Sequence, residues 1–401
     1  MQGPSSHRLA AIPLEAISEQ YHERGIGGWS DAELLHEVAA IVSVPREEPG
    51  GSFVLHAPLE LAARASLLPM LSGEARPLAR KRIVAIAVQY EAFEPIRSYA
   101  QHPTAIDSEK DPITWLFQAI ARGDLAETDR AACFVTEHME PSPLVAALTP
   151  GILTSTAAAA HAPILLYLWK VLDEARGLGS GLLRPLARSL ARNPAWHIQW
   201  TREWAPKGVT DAGALRHAIE EFPLPSECPS SSIHPLMMAV DGPNGAARHL
   251  GSVLGSRTED ADRVLLRGAA RWMLTSNPKA APYGWTHALT MPQAVLGITA
   301  GTPLADHGLA IAATYCLAFR AGLANPEDSS ASEPELAPIE TLPLLDRAAT
   351  SHDAHIVKYA LATVLASRAD PQAAPLYTAA LKRLLDVWDQ AGGDASDLLK
   401  A

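Results

Sequence analysis

Lys358 stands in the middle of an otherwise apolar stretch, Ala354 to Ser367, and His355 precedes it by one helical turn. On a helix the two side chains share a face, so both can reach one point. Burying a free ammonium is costly, so such a lysine must snorkel, pair, lose its proton or be modified. Two readings stand. The long stem carries the amine out to water, or the neutral amine captures carbon dioxide and becomes a carbamate. The carbamate is an anion with two oxygen donors, able to ligate a metal as a carboxylate does. Lysine is also scarce: of the 33 Lys and Arg residues only 8 are lysine.

The chain has 15 histidines, and four lie in apolar, helix-patterned surroundings. His56 is in SFVLHAPLELAARASLLPML, His161 in TAAAAHAPILLYLW, His287 in PYGWTHALTMPQAVLGI and His355 in SHDAHIVKYALATVLAS. Any one of them, taken singly, reads as a core histidine with one hydrogen bond. Four together exceed what chance supplies, and neutral imidazole is the commonest protein ligand for iron, zinc and copper. Two Glu-x-x-His pairs, Glu19/His22 and Glu33/His36, have the spacing of carboxylate-bridged di-iron bundles. Both lie near the N-terminus on short segments, and Glu33 has a capping role, so solvated amphipathic helices are the simpler account.

The elements that must position these groups read as helices. Apolar residues recur at three- and four-residue spacing in ITWLFQAIARGDLAETDRAA, SGLLRPLARSLARNP, EDADRVLLRGAARWMLTS and AAPLYTAALKRLLDVWDQAG. Ser30 with Glu33 forms a capping-box pattern before LLHEVAAIV. The expected fold is all-α: a single compact multi-helix domain over residues 1–401, with long loops. One loop-rich stretch runs from Phe222 to Gly245, and a flexible acidic loop from about Ala324 to Pro343. The longest apolar run, Gly151 to Leu172, contains His161, Pro163 and Lys170 and reads as a buried core helix rather than a membrane span.

Composition and missing motifs narrow the functions. With 401 residues, 48% of them hydrophobic, the chain can bury a sizeable core. A net charge of −11 argues against nucleic-acid binding. Three separated cysteines, Cys133, Cys228 and Cys316, read as reduced thiols in a cytoplasmic protein. There is no phosphate-binding glycine loop, no dinucleotide fingerprint, no G-x-S-x-G elbow and no H-E-x-x-H; GLGSG at Gly177 to Gly181 sits between helical patterns. Nothing marks a binding site for NADPH, and nothing reports the oligomeric state.

The segments DAHIVKYALA and PYGWTHALTMPQAV, with VLHAPLELAAR and AHAPILLYLWKVL, resemble the questin oxidase-like family. That family includes fungal enzymes that oxidatively open anthraquinone rings. The likeness runs from about residue 50 to 366, and these patches are its specific part. It implies a helical fold and a mononuclear non-haem Fe(II) centre with four histidines and a carboxylated lysine. Carried over by position, the ligands would be His56, His161, His287 and His355, with Lys358 as the carbamate and with Lys358 and His355 in the catalytic role. Leu165 stands where the family pattern has a second histidine, which implies a different substrate pocket. His352 and His307 are reserves for the fourth imidazole.

Trp285, Tyr283, Trp169 and Tyr167 flank the implied ligands and suit an aromatic, polyketide-type substrate, although core packing explains each equally well. Asp353 would orient a ligand or cap the helix after it. The expected activity is oxygenation with dioxygen: cleavage of an aromatic ring, or a Baeyer–Villiger-like insertion. A zinc hydrolase using the same cluster and a non-catalytic helical scaffold are the competing readings.

Overall fold

The computed structural model describes residues 9, 14–48, 52–96, 111–156, 161–223, 233–242, 244–276, 282–323, 336 and 339–393. These residues form nineteen α-helices and no strand; their only extended pairings are three isolated bridges, such as Ser155 with His197. The all-α expectation holds, as does the capping box, in which Ser30 and Glu33 bond reciprocally.

Four helices make the centre: Phe53–Leu67, His161–Val171, Pro282–Thr299 and Ala354–Ala369. They close a ring. The Phe53–Leu67 helix packs on His161–Val171 and on Ala354–Ala369, and Pro282–Thr299 packs on the same two. Each is apolar around most of its circumference, the pattern of a helix buried on every side. Alanine brings them close. Ala57, Ala62, Ala63, Ala360, Ala362 and Ala366 are all buried, and small residues shorten the distance between helix axes. Each leucine filling the remaining space, such as Leu61 or Leu361, contributes roughly 2 kcal/mol by leaving water. Outside the ring, Ala75–Glu91 covers the first helix and Ala305–Leu323 the third, while Glu259–Thr275 and Ala374–Gln390 pack on each other and on the ring.

Two organisational expectations change. The Gly151 to Leu172 run is not one helix: Pro141–Ile152 ends inside it, and Thr154 and Thr156 bond the backbone of Ile198 and Trp196 before the next helix starts at His161. Lys170, which broke that run in the sequence, donates to the carbonyls of Gly297 and Ala300 and so caps the neighbouring central helix. The Phe222 to Gly245 stretch contains a helix, Ile233–Val240, whose Leu236 packs where Gly322 leaves no side chain. Most of the acidic loop, residues 324–335, 337 and 338, lies outside the described residues, as does Cys228; Cys133 and Cys316 are buried thiols outside any disulfide among the described residues.

Candidate metal centre

Each of the four central helices carries one histidine inward, and the rings follow the order of the helices. His56 meets His161 edge-on with centroids 4.6 Å apart, His161 faces His287 at 6.1 Å, His287 stands perpendicular to His355 at 5.4 Å, and His355 returns to His56 at 4.7 Å. The tightest contact is between the Nε2 atoms of His56 and His355, 3.1 Å apart. One nitrogen each from His56, His287 and His355 lie within 4.8 Å of one another, as metal ligands would. His161 is outside that trio but in ring contact with two of its members.

Local structure fixes which nitrogen faces inward. His56 turns its Nδ1 to the Ser52 carbonyl at 2.6 Å, and His161 turns its Nδ1 to the Leu55 carbonyl at 3.3 Å. Both histidines begin a His-Ala-Pro sequence near the start of a helix, where Pro58 and Pro163 have no N–H to give the preceding turn. His355 holds its Nδ1 3.3 Å from Asp353 Oδ1. Asp353 also accepts from the backbone N–H of His355 and Ile356, so it caps the helix and orients the imidazole at once. In the tautomers that direct the outer protons to these oxygens, the Nε2 lone pairs of His56 and His355 point at each other. Two acceptors so placed repel unless a proton or a cation lies between them.

The separation suits a cation. Donors about 2.0–2.1 Å from one ion are about 3.0 Å apart when adjacent in an octahedron and about 3.4 Å apart in a tetrahedron. Three more polar atoms in this locality are buried without a partner: His161 Nε2, His287 Nδ1 and Lys358 Nζ. Lone pairs left unmade in a core are costly, so a group that satisfies several at once is strongly held.

Electrostatics favours neutral donors. Burial and the nearby Lys358 amine push His56 down to about 2 and hold His161 well below the ordinary imidazole range. His287 is also held well below it, by burial and then by His355 and Lys358. His355 is lowered by burial and Lys358, with Asp353 pulling the other way. Lys358 is 6% exposed, and burial brings its amine down to about 8, with Asp353 and Glu60 opposing. It does not snorkel.

Family models, curated proteins and solved structures were each compared with the chain, and none matches it.

Of the other sequence candidates, His352 lines the open cavity beside His56 and His355 but stays outside the imidazole cluster. His352 is exposed and its ring lies against Trp388; His307 sits against Trp204 on the Ala305–Leu323 helix. Neither joins the cluster. Glu19, His22, Glu33 and His36 are on the surface, so the di-iron spacing is a solvated one. Trp169 and Trp285 are packed in the core. An open cavity of about 240 Å³ adjoins His56 and His355, and its walls hold Phe53, Arg64, Arg82 and Gln89 rather than the aromatic residues read from sequence. Tyr167 lines other cavities, and the side chain of Tyr283 lies outside the described residues.

The sequence reading passed over Glu60 and Arg64. Both are buried and bonded to each other, and Arg64 also binds the carbonyls of Ala349 and Ser351 just ahead of Asp353. The signal was present: two charges in an apolar helix at four-residue steps from His56. The pair ties the His56 helix to the turn that presents His355.

Proposed function

We propose that His56, His161, His287, His355 and Lys358 hold one iron(II) ion and that the protein is a non-haem iron oxygenase. The observation that carries this is the 3.1 Å approach of two imidazole nitrogens whose outer positions are already committed to oxygen acceptors. Iron bound by neutral imidazoles with a position left open supplies activation of dioxygen.

Lys358 supplies what the histidines lack. Four neutral imidazoles bring no negative charge to offset a buried dication. The neutral amine of Lys358 adds to carbon dioxide: a nitrogen–carbon bond forms, one N–H proton is released to water, and an anionic carbamate remains. A site that disfavours the ammonium thus favours the reacting form. Asp353 and the Ser52 carbonyl keep the rings oriented.

The open cavity at His56 and His355 receives the organic substrate. Phe53 and Ile86 give it apolar walls, and Arg82 and Gln89 give it polar groups, which suits an aromatic polyketide-type molecule bearing oxygen substituents. The reaction is oxidative opening of a ring, with both atoms of dioxygen entering the product, or insertion of one oxygen atom beside a carbonyl, in which a two-electron donor such as NADPH reduces the other atom to water. Metal analysis of protein purified without chelator tests the reading. About one iron per chain is expected, zinc would indicate a hydrolase, and no metal would indicate a scaffold.

A further inference from the structure

Three cavities follow one another along the Ala354–Ala369 helix. The first is the open one, about 240 Å³, at Asp353 to His355. The second, about 20 Å³, is bounded by Lys358, Leu361 and Leu365. The third, about 280 Å³, reaches Ala369 and Asp370 at the far end. At 1.5 Å per residue, Lys358 and Ala369 are about 16 Å apart along the axis. The first and second cavities share no lining residue, whereas the second and third share Tyr167 and Gln293. Lys358 therefore has a space beside it that is distinct from the substrate cavity and adjoins another.

Size and lining select the occupant. A space of 20 Å³ holds about one water-sized molecule, and a buried water needs two to four polar partners. Here the walls are chiefly the hydrocarbon of Ile164, Leu361 and Leu365. One Gln293 N–H donates to the Ala362 carbonyl at 3.0 Å, which leaves the Gln293 oxygen and the unpartnered Lys358 Nζ as the main polar contacts in a largely hydrocarbon wall, fewer than a well-held water uses. Such a space favours a molecule that asks for no hydrogen bonds. The partition is built to fit: the Tyr167 ring lies against the bare backbone of Gly297, where an added Cβ would come within 2.1 Å of it.

We infer that the cavity at Lys358 binds a small apolar gas and is the inner end of a supply route that runs from the cavity at Ala369 and Asp370 past Tyr167. Dioxygen and carbon dioxide share this chemistry, and both are reactants in the proposed function. The supply role rests on that proposal; occupancy by a gas does not.

Crystals of the iron-loaded protein under xenon pressure test it. Xenon is expected against Leu361 and Leu365, and Leu361→Phe, which fills the space, should lose it. Tyr167→Ala is the companion variant, because it removes bulk and does not depend on accommodating a larger ring. It should fill with xenon at lower pressure, and an unchanged filling pressure would overturn the route past Tyr167. In solution, dissolved oxygen should broaden the methyl signals of Ile164, Leu361 and Leu365 more than those of other core methyls if dioxygen enters. With ¹³C-bicarbonate, slower carbamate formation in Leu361→Phe than in wild type marks carbon dioxide as the occupant. A wild-type cavity without xenon, or one holding an ordered water on Lys358, overturns the inference. Iron analysis of the same sample separates the two claims: iron without xenon sinks only the gas site, and xenon without iron sinks only the oxygenase.

Discussion

His56 and His355 are 299 residues apart in sequence, yet their Nε2 atoms lie 3.1 Å from each other. Each ring is held from behind, one by the Ser52 carbonyl and the other by Asp353. If this arrangement serves a metal, loosening the rear support weakens binding without removing a ligand. Asp353→Asn keeps a cap for the helix but loses the charge that favours the Nδ1–H tautomer. Groups in this position typically account for 10- to 100-fold in metal affinity. A competition titration with a coloured chelator should show a loss in that range, and unchanged affinity would leave Asp353 as a helix cap alone.

Four imidazoles with lowered pKa values also set an acid limit. All four have folded pKa values below their unfolded value near 6.5, His56 as low as about 2. Below pH 6.5 the unfolded chain therefore binds protons that the folded protein does not, and stability falls as the pH falls. Each such group steepens the slope, by up to about 1.4 kcal/mol per pH unit where its folded pKa lies far below the interval. Urea midpoints of metal-free protein should drop steeply between pH 6.5 and 5. His287→Leu, which removes one of these groups, should make that slope shallower. Bound iron should leave together with unfolding, because the folded imidazoles stay unprotonated in this interval and only the unfolded chain presents protonated ones, which cannot ligate.

Much of this was legible in the chain, for reasons that differ by residue. Helix content was readable because amphipathic periodicity is local, as in the Glu259–Thr275 helix with Asp and Glu in its first turn. Lys358 and His355 announced themselves through an energetic conflict: charge and imidazole inside an apolar helix. The meeting of His56 with His355 was legible only through the family resemblance, since periodicity does not say which helices touch, and that is settled by alanine-mediated packing between them. Trp169 and Trp285 misled because adjacency in sequence says nothing about which side of a helix faces a cavity. The Ile233–Val240 helix was obscured by the proline- and serine-rich residues before it, which signal a loop even though the following residues find an apolar partner at Gly322.

A second buried group opposes the histidines. Asp129 is 1% exposed, Arg188 is its ion-pair partner, and burial raises its carboxyl to about 6 despite that partner. Its folded pKa is above the unfolded one, so the folded state holds the extra proton between about pH 4 and 6. The stability it contributes is present below that interval and lost as the pH rises through it, by about 3 kcal/mol in all. Asp129→Asn also loses the pair with Arg188, so the absolute stability change mixes two effects. The difference between the variant and wild type isolates the titration: it should move by about 3 kcal/mol in the variant's favour from pH 4 to pH 7. Parallel curves would mean that Asp129 is ionised throughout.

Lys358 should make the metal-free protein less stable than it need be. Its amine titrates at about 8 in the fold against 10.5 when free, so at neutral pH the unfolded chain accommodates the proton better. That gap corresponds to about 3 kcal/mol. The sign follows from the lowered value: the cost is complete below pH 8 and fades as the pH climbs toward 10.5. Lys358→Met keeps the length and loses the charge, and the metal-free variant should be more stable than wild type by about 3 kcal/mol at pH 7, and by little at pH 10.5. The opposite order should appear when iron and bicarbonate are supplied, because only the wild type can form a carbamate there. Lys358→Arg keeps a charge that no carbamate can replace and should lose iron and gain nothing. A metal-free Lys358→Met protein less stable than wild type would identify the amine as a structural partner. It would also remove the reason for placing an anionic ligand on the Ala354–Ala369 helix.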